Sequence, residues 1–175
     1  FKGQKVDVIF TSNEHNSVAR PLYYLKDVLG INLIEITPDE NGVISPVAVA
    51  NAVTPDTKLI CANHISNVTG NATDIFQIGK TAKKHGIPFF VDGAQSLGHV
   101  ALNVPDNNID FLVAAGHKGL HGAQGTGFLI YNTNYKIFPI RFGGTGTHSE
   151  SLSQPTAPPE AYESGTLNSA GIIGL

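Results

Sequence analysis

The sequence predicts an α/β domain with a mainly parallel sheet and helices on both of its faces. Three observations carry this expectation. Short apolar runs alternate with segments of helical spacing along most of the chain. The apolar runs are close to continuous, as in strands covered on both sides. The helix-like segments also carry terminal signals, with Ser45-Pro46 and Asp74 at starts and Gly30 and Gly86 at ends.

Taken in order, Val6 to Thr11 is a β-rich strand. Ser17 to Leu29 sets Val18, Leu22, Leu25, Val28 and Leu29 at helical spacing, and Gly30 ends the helix. Ile31 to Ile36 is a second strand, and Ser45 caps a helix leading to Val53. Lys58 to Asn63 is a strand, after which Asp74 caps a helix reaching His85-Gly86. Ile87 to Val91 is the next strand, and a Gly- and Asn-rich connection leads to another at Phe111. The run DFLVAAGHKGLHGAQGTGFLIY, Asp110 to Tyr131, reads as two strands around a glycine-bounded turn carrying His117 and Lys118. Both apolar arms are expected to be buried, the second adding an antiparallel strand. From Arg141 onward Gly, Thr, Ser and Pro replace any period, which predicts an extended surface loop in contact with another subunit.

Composition narrows the function classes. At 175 residues the chain is long enough for one domain with a real core. Its 41% hydrophobic and 14% charged content is globular rather than disordered. A net charge of -3 without a basic block argues against nucleic acid as a partner. No apolar run is long enough to span a membrane and no leader opens the chain, so the expected location is the cytoplasm. The single Cys61 excludes an internal disulfide and suits a reducing compartment. There is no initiator methionine, and SAGIIGL stops in what reads as the start of a helix, so the chain reads as a piece of a longer one.

In open α/β sheets, ligands collect beyond the carboxyl ends of the strands. Four strand ends here bring polar groups to that edge: Glu14 and His15, Ser66 and Asn67, Asp92 and Gln95, His117 and Lys118. Asp92 ends a hydrophobic strand. Its carboxylate is either a cap for the following turn or a buried charge that needs a cation, such as a protonated pyridine nitrogen. Gln95 can donate or accept to a phenolic oxygen on the same ring. His15 is a polar strand-end residue or a flat ring for stacking on an aromatic cofactor. Lys118 is either the tip of an exposed hairpin or a desolvated amine of the Schiff-base kind. His117 and His121 would share a helix face, but the pattern lacks the glutamate of a zinc motif, so no metal is expected. The GGTGT loop, Gly143 to Thr147, lacks the Gly-Lys-Thr/Ser of a nucleotide loop.

With EHNSVARPL, HISNVTG, VDGAQSLGH, AAGHKGLHGAQGTGFL and YESGTLN in this order, the chain resembles the class V aminotransferases of the fold type I pyridoxal-phosphate enzymes. It is most similar to cysteine desulfurases and selenocysteine lyases. The resemblance implies an incomplete large domain. Residues 1–140 would be the central part of the cofactor-binding domain, and 141–175 a loop region leading toward a C-terminal small domain. It implies pyridoxal 5'-phosphate as cofactor, held covalently by Lys118 and stacked on by His15. Asp92 would bind the pyridinium nitrogen, Gln95 and Asn67 the ring oxygen, and His117 the phosphate. Thr166 would reach the phosphate of a neighbouring subunit, which implies a homodimer. Lys118 and His15 would be the catalytic residues. The implied substrate is L-cysteine, with a possible sulfur-acceptor protein as partner, giving L-alanine and an enzyme persulfide. An aminotransferase or another lyase of the same family, or a fragment without activity, are the alternatives. Ala115 stands where many relatives have serine, and Ala161 where arginine is common. The family's glycine-threonine phosphate loop, its substrate-binding arginine and its persulfide cysteine are not in this sequence. Cys61, inside a strand, is read as buried and inert.

Overall fold

A computed structural model describes residues 4–147 and 149–175. The start of the 1–140 segment (residues 1–3) and His148 of the Gly/Thr/Ser-rich loop lie outside the described residues. The elements run β1 (Asp7–Thr11), α1 (Asn16–Leu29), β2 (Asn32–Ile36), α2 (Pro46–Asn51), β3 (Thr57–Asn63), α3 (Ile75–His85), β4 (Phe89–Asp92), β5 (Phe111–Ala115), β6 (Gly127–Tyr131) and α4 (Ser169–Ile173). The strands form one sheet in the order β2-β1-β3-β4-β5-β6. All pairs are parallel except β5 with β6. The chain moves outward from β1 to β2, then resumes on the other side of β1 with β3. That reversal opens a crevice at the carboxyl edge of the central strands.

The period-2 geometry of the strands divides the core in two. Ile9, Ile60, Phe89, Val91 and Leu112 face Val49 of α2 and Ile75, Ile78 and Ala82 of α3. On the opposite face Val8, Phe10 and Cys61 pack with Leu22 of α1. Each fully buried large side chain in these layers contributes about 1.5–3 kcal/mol.

The local signals act as read. The Ser45 side chain accepts from Ala48 N–H and that of Asp74 from Gln77 N–H. Gly30 and Gly86 close α1 and α3 in the left-handed conformation, at φ 68° and 64°. Two expectations need correction. The second arm of the Lys118 segment is not buried: β6 is the last strand of the described sheet, with Leu129 44% and Ile130 45% exposed. Of the apolar residues at helical spacing in α1, Leu22 is buried, while Val28 and Leu29 are exposed. His117 and His121 do not share a helix face. The segment is a turn in which His121 has φ 58°, so its ring leaves the direction a helix would impose.

Candidate active site

The ends of β1, β3, β4 and β5 wall a single cavity of about 410 Å³. The β1 end contributes His15 and Ser17, and the β3 end Asn63 and Asn67. Asp92 and Gln95 come from the β4 end, and His117 and Lys118 follow β5. Six of the seven residues that the resemblance assigns to the cofactor therefore line one space, while Glu14 and Ser66, named at the same sheet edge, are outside its lining. Thr166 does not: it is exposed and outside this lining.

Hydrogen bonds to backbone carbonyls and one close backbone approach set these positions. Asn63 Nδ2 donates to the Asn13 carbonyl at 2.7 Å, fastening the end of β3 to the turn that leads to His15. After β4, Leu97 N–H bonds back to the Gly93 carbonyl at 2.9 Å, so the chain turns sharply beyond Asp92. Gly98, at φ 87°, then lies directly against Gly119. A Cβ on Gly98 would land on the Gly119 carbonyl, and one on Gly119 on the Leu97 carbonyl. Two glycines in contact are thus what brings the Lys118 turn up to the Asp92 turn.

Asp92 is 7% exposed, and its Oδ1 accepts from Ala94 N–H at 2.8 Å. Both readings of this residue meet here, since it caps its own turn and still faces the cavity. Among the described residues no lysine, arginine or histidine forms an ion pair with it. A buried carboxylate with one neutral donor is an acceptor suited to a ligand that brings positive charge. Asn63 Oδ1, in the same wall, is buried without a hydrogen-bond partner among the described residues. Lys118 is partly buried, while His15, Asn67 and His117 are exposed at the mouth.

His15 has a structural duty as well. It is the N-cap of α1, with Nδ1 accepting from Ser17 N–H at 3.2 Å and lying 2.9 Å from Ser17 Oγ. Histidine is not a usual N-cap, which is why the sequence did not disclose this role or that of Ser17. Asn63 was also missed; the available signal was a polar residue closing an apolar strand.

Glu14 lies outside the cavity lining with its carboxyl turned into the protein. Oε1 accepts from Thr11 Oγ1 at 3.0 Å, and Oε2 is buried with no hydrogen-bond partner among the described residues. Burial pushes this carboxyl up to about 8, the Thr11 bond opposes the rise, and the nearby Asp92 charge adds to it. Burial also pushes the Cys61 thiol up, with the Glu14 charge in support. At 2% exposure Cys61 is a core residue of the α1 face. Burial holds His64 below the usual histidine range.

The profile of the aminotransferase class-V family matches residues 2–175. A protein named "Probable cysteine desulfurase" from Methanothermobacter thermautotrophicus is 38% identical over 173 residues, covering 96% of this chain and 43% of that protein. The apo structure of the cysteine desulfurase from Thermococcus onnurineus NA1 superimposes with a TM-score of 0.87 at 35% identity, over 98% of this chain and 44% of that one. The structure of SspA in complex with cysteine matches with a TM-score of 0.82 at 32% identity, over 97% of this chain and 46% of that one. The chain thus spans a little over two-fifths of the length of the curated relatives it matches, 42–43% for the first two.

Proposed function

The chain belongs to the class-V aminotransferase family, and from that premise we propose that it is the cofactor-binding core of a cysteine desulfurase dependent on pyridoxal 5'-phosphate. One observation carries the reading: Lys118, Asp92 and His15 line a single cavity, and Asp92 is a buried carboxylate without a cationic partner among the described residues. The amine, the acid and the flat ring are the donor set a charged pyridine aldehyde requires. The relatives' names and the cysteine bound to SspA support the choice of substrate.

In this reading Asp92 holds the proton on the pyridine nitrogen, since an anion beside that nitrogen favours its charged form. His15 would stack on the ring, Gln95 and Asn67 would hydrogen-bond the ring oxygen, and His117 would contact the phosphate. The cofactor, when bound, supplies an electron sink next to the α-carbon of the amino acid. Lys118 would hold the cofactor through its amine, and its Nζ would be the base that takes the α-proton. The substrate sulfur passes to a thiol beyond this segment as a persulfide, and alanine leaves. Cys61 is not that thiol, because a side chain buried in the strand layer cannot meet a substrate.

Residues 1–140 form the central part of the cofactor domain in this proposal, and 141–175 lead toward a small domain. Thr166, exposed and outside the cavity lining, would serve the site of a second subunit in a homodimer. A sulfur-acceptor protein and a cytoplasmic location complete the proposal. Among the described residues no helix is long and apolar enough to cross a membrane.

The test is a titration of the intact protein with pyridoxal phosphate, followed by borohydride reduction and mass mapping. Labelling at Lys118, absent in Lys118→Ala, is the expected result. Labelling of another lysine overturns the assignment, and formation of a keto acid in place of alanine overturns the reaction.

A further inference from the structure

We propose that Ser17 is a positioning residue that fixes the tautomer and the orientation of the His15 imidazole, leaving the single ring proton on Nε2. Two groups of Ser17 converge on one nitrogen. The backbone N–H donates to His15 Nδ1 at 3.2 Å, and the hydroxyl oxygen lies 2.9 Å from the same atom. A backbone amide can only donate, so Nδ1 must offer its lone pair. A proton on Nδ1 would point at the amide proton and would break the cap that starts α1. The Ser17 hydroxyl is then a second donor to Nδ1, and the neutral ring carries its proton on Nε2.

Two anchors on one ring atom also restrict how the ring turns. His15 is exposed, and an exposed side chain without partners samples several rotamers. Here the ring is tied to the first turn of a 14-residue helix, itself packed on the sheet through Leu22. The helix cap thereby positions the ring at the mouth of the cavity before any ligand arrives. Both His15 and Ser17 line that cavity, and Nε2 is the ring nitrogen left free of the cap. His15 therefore presents an N–H donor at Nε2 and a fixed ring face.

What the ring stacks on rests on the cofactor reading above; the tautomer does not. The experiment separates the two. The intact protein is labelled with 15N-histidine, and both ring nitrogens are followed by NMR without cofactor. His15→Gln identifies the His15 signals. The dissociation constant of pyridoxal phosphate is measured in parallel. The expected spectrum shows His15 protonated on Nε2 and unprotonated on Nδ1. Ser17→Ala should shift both ring signals as the second donor is lost. It should also weaken cofactor binding roughly three- to tenfold, the range of one hydrogen bond. Ser17→Thr, which keeps the hydroxyl, should restore both. A proton on Nδ1 in the unaltered protein overturns the proposal. So does a Ser17→Ala protein identical to it in ring shifts and cofactor affinity. The expected tautomer in a protein that binds no pyridoxal phosphate would sink the cofactor reading and leave the tautomer assignment standing.

Discussion

Replacing Glu14 by glutamine exposes the energetic consequence of a buried carboxyl. Its proton affinity lies at about 8 in the folded protein against the ordinary 4.5, mainly because burial disfavours the anion. Between those two values the native state holds a proton that the unfolded chain has released. This group therefore costs nothing below about pH 4.5, and it destabilises progressively as the pH climbs. The slope is about 1.4 kcal/mol for each pH unit, approaching ~5 kcal/mol above pH 8. Glutamine has the same shape and cannot ionise, so Glu14→Gln escapes the whole dependence. Near pH 5 the two proteins should differ by no more than one hydrogen bond, about 1 kcal/mol. As the pH rises, the stability difference should open in favour of Glu14→Gln by several kcal/mol. Unfolding curves of the intact protein and the variant, recorded side by side from about pH 5 to about pH 9, read this directly. Parallel stabilities across that range would refute the reasoning. A gap opening in favour of the unaltered protein would show that Glu14 is held as an anion by a cation.

Two further outcomes follow from packing. Gly98→Ala places a Cβ on the Gly119 carbonyl in a backbone conformation that L residues avoid. It should destabilise the protein by roughly 2–4 kcal/mol and displace the Lys118 turn. Lowered thermal stability together with loss of borohydride labelling at Lys118 would be the signature. Cys61, buried in the α1 face with its thiol pushed up by burial, should resist alkylation in the folded protein and react only after unfolding. Labelling at native rates would contradict the described core.

The order of strands and helices was legible in the sequence because its signals are local. Ser45, Asp74, Gly30 and Gly86 act within one turn of where they stand, and a covered strand shows itself as an apolar run. The polar residues following four such runs could be grouped at one sheet edge for the same reason. The tertiary structure alone decided the rest. β6 reads as a buried strand by composition, yet it is exposed because nothing in the described chain lies beyond it. Glu14 and His15 are neighbours in sequence, but one carboxyl is desolvated while the other ring is exposed. Desolvation depends on the segments that close over a group, here the ends of β3 and β4, roughly 50 and 80 residues further along the chain. The contact of Gly98 with Gly119 is likewise a meeting of two backbones that no spacing rule anticipates. Periodicity and caps are properties of a stretch of chain, whereas burial, close approach and the pairing of charges belong to the assembled sheet.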